Sequence, residues 1–350
     1  MRSTPDISNP NSKQPNPGTK QPDLSTEQSA WLLGTVRPVE VVGDLSWDTT
    51  TSRVWHLRDS NGTNLILKGA GPPMEKHIAR EIRAHETAAR ELSRTSDTQR
   101  LVAGDSDLGI LVLTYLRGKL VEGTDFEFDP EVHFQAGQLL GRLHRQGSQV
   151  APPQAAQSDR QEEPTTALSP TTTKEMSFLA TGSASATRSD DDGNYDDDYE
   201  RNLVTRTRWW LSGEHNIPAS QVAQINAILD TCTPGPIRLV PTHGDWHPRN
   251  WLVDDSGATL HVMAIDFGRF DWRSPQSDIL RLQLMQWNGR PDLEEAFFRG
   301  YGEDPRTNSW QLELVYQAVA NACWAHMMGD MAFEQQGLRE ISMILETAPE

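Results

Sequence analysis

Cysteine is nearly missing from this chain. Only Cys232 and Cys323 occur in 350 residues, both among apolar or helical residues, which leaves no disulfide framework and no cysteine-based metal cluster. Long apolar runs are missing as well. No stretch of about 18 apolar residues occurs, which argues against a transmembrane helix, and the N-terminus lacks an apolar signal core. Excess positive charge is absent: the formal net charge is −17. Nucleic acids and anionic membranes both demand basic patches, so neither is expected as a partner. These absences point to a soluble, cytoplasmic protein. No internal repeat occurs, and nothing in the pattern specifies an oligomeric state.

Two segments have too little apolar content to bury. Residues 1–26 hold five prolines and almost no large apolar side chain. Residues 148–200 run through Ala, Pro, Gln, Ser and Thr into seven carboxylates between Asp190 and Glu200. Neither offsets its ordering entropy, so both are expected to be disordered, the second as a solvated acidic insert. Removing them leaves 350 − 26 − 53 = 271 residues, enough for two modest lobes. They also account for the low mean hydropathy of −0.60 without implying a poor core.

The remainder has clear periodicity. Val39–Leu45, Arg53–Leu57 and Thr63–Lys68 read as strands, and Asn61-Gly62 is a hairpin turn signal. After Pro72-Pro73, the spacing of Ile78, Ile82, His85 and Ala89 predicts a helix with one buried stripe. Leu108–Leu116 reads as an apolar strand, and Phe134–His144 as a core helix. Helices are also expected over 203–211, 221–229, 277–287, 291–301, 309–329 and 333–347. Ile237–Val240 reads as a strand. Trp251–Val253 and Thr259–Ile265 flank the turn Asp254-Asp255-Ser256-Gly257, a hairpin that carries Asn250 at one end and Asp266 at the other.

The chemistry is concentrated around that hairpin. His243-Gly244-Asp245-Trp246-His247-Pro248-Arg249-Asn250 is followed by Ile265-Asp266-Phe267-Gly268. The pattern sets an Asp and an Asn five residues apart and a second Asp sixteen residues later. Phosphoryl transfer needs one carboxylate to receive the proton of an attacking hydroxyl. It also needs hard oxygen ligands for Mg²⁺ on a triphosphate. The D-x-x-x-x-N spacing and the D-F-G triplet match the catalytic and metal loops of protein kinases. With His-Gly-Asp in place of His-Arg-Asp, the chain resembles the aminoglycoside phosphotransferase and choline kinase-like family of the kinase-like superfamily. The resemblance covers roughly residues 30–147 and 201–345.

That resemblance implies an α+β, bilobal protein-kinase-like fold. An N-terminal lobe of antiparallel sheet plus helix would span 27–116. A mainly helical catalytic and substrate lobe would span 117–350, with the insert at 148–200 inside it. ATP or GTP with Mg²⁺ would lie in the cleft between the lobes. Asp245 would be the catalytic base, and Asn250 and Asp266 the metal ligands. Lys68, at the end of the third strand, would contact the α and β phosphates, held by a helix glutamate. Glu81 is the first choice, with Glu86 on a different side of the helix as its rival. Thr114, Tyr115 and Leu116 would form the hinge against the nucleobase. His243 and His247 would be architectural, and Asp278 would cap a helix and brace the catalytic loop. Arg249 would approach either the phosphates or a nearby carboxylate. The loop at 46–52 lacks the kinase glycines and reads equally as a phosphate clamp or a polar hairpin loop.

The reaction implied is transfer of a γ-phosphoryl group to a hydroxyl of a small molecule. An antibiotic of aminoglycoside or nucleoside type is the first choice of acceptor. The alternative is a metabolite such as choline, homoserine or a sugar. A further alternative is an inactive kinase-fold binding protein, against which all three catalytic and metal positions are intact. A protein kinase is disfavoured because no recognisable activation segment follows Asp266-Phe267-Gly268, where the chain runs straight to Arg269-Phe270-Asp271-Trp272. Trp272, Trp287, Trp310 and Trp324 are candidate acceptor contacts, with core packing the plainer role for each. Glu303, Asp304, Glu313, Asp330 and Glu334 lie where the family's acceptor pocket forms. If they face it, they would favour a cationic acceptor.

Overall fold

In chain order the elements are α1 (Thr26–Thr35), β1 (Val39–Asp44), β2 (Arg53–Asp59), β3 (Asn64–Gly69), α2 (Glu75–Glu86), α3 (Arg90–Arg94), β4 (Leu101–Asp105), β5 (Ile110–Thr114), β6 (Lys119–Leu120) and α4 (Pro130–Arg145). They continue with β7 (Thr187–Arg188), β8 (Asn194–Asp196), α5 (Tyr199–Leu211), α6 (Ala219–Thr231), β9 (Ile237–Thr242), β10 (Trp251–Asp254), β11 (His261–Ala264) and β12 (Asp271–Arg273). Four helices follow: α7 (Leu280–Leu284), α8 (Pro291–Tyr301), α9 (Trp310–Met328) and α10 (Met331–Glu346). The structure is a computed structural model and describes residues 22–46, 52–71, 75–146, 187–188 and 194–346. Contacts divide the chain into two compact units, 1–139 with 247–270, and 140–246 with 271–350. Among the described residues no helix is long and apolar enough to cross a membrane.

The first unit is built on a five-stranded sheet in the order β1-β2-β3-β5-β4, antiparallel throughout. Both faces are covered, which is why β3 and β5 read as continuous apolar runs. Leu65 and Leu67 of β3 point to one face, where they pack with Trp55, Leu57, Ile110, Val112 and Leu32 of α1. Ile66 points to the other, with Leu111, Leu113 and the Ile78–Ile82 stripe of α2. The period of two in the strands therefore sorts one apolar run into two separate cores. The β2–β3 turn places Gly62 at φ 83, and Asp59 Oδ1 accepts from the N–H groups of Asn61 and Thr63. That left-handed position explains the Asn-Gly pair. A second, three-stranded sheet runs β11-β10-β6.

The second unit is mainly helical. Leu203 and Trp210 of α5, Ile225 and Leu229 of α6, Leu312, Val315 and Val319 of α9, and Ile341 and Ile344 of α10 share one core. Gly337 of α10 lets α9 approach closely: a Cβ there would lie 2.8 Å from the Ala322 nitrogen. A sheet in the order β12-β9-β8-β7 completes this unit.

The expected strands and helices are present, with some corrections. Residues 1–21 of the N-terminal segment lie outside the described residues. Its end is ordered, because Ser25 caps α1 in a capping box with Gln28 and Leu24 packs beneath the sheet. Most of 148–200 likewise lies outside the described residues. Its last part does not fit a solvated linker. Asn194–Asp196 pairs with β9, and Glu200 is buried and accepts from the Gly235 N–H. Charge density alone predicted solvation, but backbone pairing and internal donors for these carboxylates override it. The single helix expected at 277–287 is a 3₁₀ turn at Pro275–Asp278 followed by the short α7. The loop reading at 46–52 falls largely outside the described residues.

Candidate active site

In the first unit, β3 and α2 bring a lysine and a glutamate together. Lys68 Nζ lies 2.8 Å from both carboxylate oxygens of Glu81 and 3.0 Å from Asp266 Oδ1. Glu86 is exposed on another side of α2, so Glu81 is the partner. Burial works against a charged Lys68. The Asp266 and Glu81 carboxylates outweigh that effect and raise its pKa. Burial also pushes the Glu81 carboxyl up, while the Lys68 ammonium and the Phe267 N–H pull it back. With the ammonium in contact with both oxygens, the pair is ionic at neutral pH.

The β10–β11 hairpin aligns the two proposed metal-ligand positions. Trp251 pairs with Ala264, and the Ile265 N–H donates to the Asn250 carbonyl at 2.9 Å. Asn250 and Asp266 thus stand at the same end of the hairpin. Asn250 is buried in a 3₁₀ turn begun by Pro248, and its N–H donates to the His247 carbonyl. Asp266 differs: its side chain is 51% exposed, and its backbone is left-handed at φ 67. The next residue, Phe267, is fully buried and meets the ring of His85 edge-on. The Gly268 carbonyl accepts from His77 Nδ1 at 2.9 Å, and burial holds the His77 pKa below the ordinary histidine range.

The second unit presents Asp245. After β9 the backbone turns at Gly244, φ 80, where a side chain would be strained. The N–H groups of His243 and Gly244 donate to Asp278 at 2.7 and 2.6 Å. His144 Nε2 lies 3.1 Å from the same carboxylate, and its Nδ1 lies 2.8 Å from the Tyr301 hydroxyl. An ionised carboxylate only accepts, so Nε2 carries the ring proton and, in the neutral ring, Nδ1 accepts from Tyr301. Burial alone would raise the Asp278 carboxyl. The His144 hydrogen bond, the His144 and His243 rings and the Gly244 N–H outweigh it and hold it below the usual range. Asp245 itself is buried, and its Oδ1 accepts from Arg281 Nη1 at 2.8 Å.

Thr114 ends β5, and Tyr115 and Leu116 follow it. The Thr114 carbonyl accepts from Gln99 Nε2, and the Tyr115 N–H reaches the Asn64 carbonyl at 3.4 Å. The Tyr115 ring stacks on His56 with centroids 4.4 Å apart. His243 and His247 are buried, and among the described residues no cluster of three or more His, Cys, Asp or Glu side chains is placed to hold a metal. Trp272 and Trp287 are core residues, and Trp310 packs against the helical core, while Trp324 is partly exposed. Arg281 and His77 were missed from sequence. The only signal for Arg281 is its place three residues after Asp278. None marks His77, a polar residue at the start of a helix.

The sequence model of the phosphotransferase enzyme family, APH, matches residues 47–310. No curated protein matches the sequence. Among solved structures the chain is similar to the choline kinase LicA from Streptococcus pneumoniae, at TM-score 0.54 and 14% identity, covering 92% of this chain and 98% of that one. It is also similar to aminoglycoside phosphotransferase APH(4)-Ia, at TM-score 0.56 and 12% identity, covering 92% and 98%. A thermostable mutant of APH(4)-Ia in ternary complex with ADP and hygromycin B gives 0.55 and 10%, covering 93% and 100%. At such identities the likeness establishes the fold, which is protein-kinase-like. The family match spans well over half of the residues, and the chain belongs to the phosphotransferase enzyme family.

Proposed function

We propose that this phosphotransferase moves the γ-phosphoryl group of ATP or GTP to a hydroxyl of a small polar molecule, an antibiotic of aminoglycoside or nucleoside type. The observation that carries the reading is the assembly of Lys68 against Glu81 and Asp266. A charged lysine held between two carboxylates is positioned to meet phosphate oxygens. Thr114–Leu116, at the end of the strand beside β3, is assigned to the nucleobase.

Asn250 and Asp266 are assigned to Mg²⁺. The donor set fits: both offer hard oxygen atoms, and the Asp266 carboxylate is half exposed although the residue after it is buried. When bound, the ion neutralises charge on the transferring phosphate. The protein's own work is positioning. Arg281 and Asp278 hold Asp245 and its loop from side chain and backbone respectively. The carboxylate so fixed is assigned to orient the acceptor hydroxyl and take its proton as the new P–O bond forms.

The antibiotic assignment draws on the family and on the neighbour solved with ADP and hygromycin B. Nucleotide consumption and product mass are to be measured with magnesium over a panel. The panel holds hygromycin B, other aminoglycosides, nucleoside antibiotics, choline, homoserine, a thiosugar and a generic protein. Phosphorylation of an antibiotic well above the rest supports the assignment. Turnover confined to the metabolites overturns the acceptor class, and turnover confined to protein overturns the small-molecule reading.

A further inference from the structure

His77, Glu81 and His85 stand four residues apart on α2 and share one helix face. That face grips the segment after Asp266 one residue at a time. The Phe267 N–H donates to Glu81. The Phe267 ring meets His85 edge-on at a centroid distance of 5.4 Å. The Gly268 carbonyl accepts from His77 Nδ1 at 2.9 Å. A Cβ on Gly268 would lie 3.5 Å from His77 Cβ and 3.4 Å from Asp266 Oδ1, ordinary van der Waals contact.

Asp266 needs such support. Its left-handed backbone, φ 67, is disfavoured for a residue with a Cβ and persists only where neighbours over-determine it. The side chain is half exposed, so core packing does not hold it. Lys68 restrains the carboxylate, and α2 restrains the backbone that follows.

We infer that His77 is a positioning residue for Asp266: by holding the Gly268 carbonyl it fixes the turn that presents the carboxylate to a magnesium-bound nucleotide. This role rests on the nucleotide reading proposed above. The ring of His77 is not needed to seat α2. Ile78, Ile82 and Ala84 are buried, and the two isoleucines pack on the sheet, whereas His77 is only half-buried. Its removal therefore costs one hydrogen bond and leaves the core intact.

The test is calorimetric binding of AMP-PNP to the full chain, with magnesium and with EDTA, alongside thermal midpoints. His77→Leu should bind the nucleotide about tenfold more weakly with magnesium, the scale of one well-placed hydrogen bond. Its binding in EDTA should match wild type, and its midpoint should stay within a few degrees. His77→Asn, whose amide nitrogen superposes on Nδ1, should recover affinity to within about threefold of wild type. His77→Gln, whose amide nitrogen superposes on Nε2, should not. Equal losses with and without magnesium, unchanged affinity in His77→Leu, or failure of the Asn variant to recover would each overturn the role. Wild-type binding that is indifferent to magnesium would instead overturn the nucleotide reading, and this role with it.

Discussion

Glu313→Gln should make the protein more stable above neutral pH. Glu313 sits in α9, 1% exposed, and its oxygens accept from Gln276 Nε2 at 2.8 Å and from the Tyr199 hydroxyl at 3.4 Å. These hydrogen-bond partners are neutral. Burial pushes its carboxyl from 4.5 up to about 7, against the pull of Gln276, Ser274 and Tyr199, and Glu200 adds a like charge. Below 4.5 both folded and unfolded states carry the proton, and the residue imposes no penalty. Between 4.5 and about 7 only the folded state keeps it, so stability falls by about 1.4 kcal/mol for each pH unit. Above that range both states are ionised and the loss persists, on the order of 3 kcal/mol. A glutamine keeps one acceptor oxygen, offers an N–H donor where the protonated carboxyl offers its O–H, and never ionises. Thermal or urea unfolding of both chains from pH 5 to 8 isolates the effect, because every other titrating group cancels in the difference. The variant should gain on wild type steadily as pH rises. Parallel curves, or a variant less stable at pH 8, would refute the burial argument. Gln276 is two residues from Asp278, which accepts from the N–H groups of His243 and Gly244.

Asp245→Asn should leave nucleotide affinity near wild type and reduce turnover by roughly two to four orders of magnitude, the scale of a lost general base; near-normal turnover on the best acceptor removes that assignment. Asp266→Ala should abolish the magnesium dependence of nucleotide binding, measured by calorimetry, because the carboxylate is the more accessible of the two proposed ligands. Unchanged affinity and unchanged magnesium response would sink it as a ligand. Gly337→Ala places a Cβ 2.8 to 2.9 Å from Ala322 atoms of α9. It should destabilise by about 1–3 kcal/mol through overpacking, despite a gain of about 1 kcal/mol in helix propensity. A variant as stable as wild type in urea would show that the helices separate freely.

The residues legible in the sequence are those whose spacing is enforced by a short piece of chain. Asp245 and Asn250 share one loop, and Asn250 and Asp266 are brought to one hairpin end by β10 and β11. The family resemblance points to Lys68 at a strand end and to Glu81 beside a helix stripe, and the two side chains meet at 2.8 Å. What was missed depends on contacts between distant segments. Arg281 meets Asp245 across 36 residues, His77 meets Gly268 across 191, and His144 meets Asp278 across 134. No local pattern distinguishes such side chains from solvated ones. α1 was missed for another reason: a proline-rich stretch precedes it, and composition averaged over that window hid the Ser25–Gln28 capping box. The error at Asn194–Glu200 has the same origin. Seven carboxylates in eleven residues suggest solvation, yet the backbone there pairs with β9 and Glu200 finds an internal donor.

The acidic balance of the chain does not by itself select a cationic acceptor. Five carboxylates in the helical region were candidates to draw one. Glu313 is buried and accepts from Gln276 Nε2 at 2.8 Å. Glu334 is buried against His326 at 2.9 Å and Asn216 at 2.8 Å. Asp304 pairs with Arg306, which also holds Glu294 at 2.7 Å and lies over the Phe298 ring. Asp330 accepts from the Phe333 N–H and so caps the first turn of α10. Four of the five therefore have structural partners inside the second unit, and the exposed Glu303 is a single charge screened within about 8 Å at physiological salt. Partners fix these four side chains in place without removing the net charge of −17. Under the proposed reading, acceptor choice would rest on shape and hydrogen bonding around Asp245, whose carboxylate is paired with the Arg281 guanidinium at 2.8 Å.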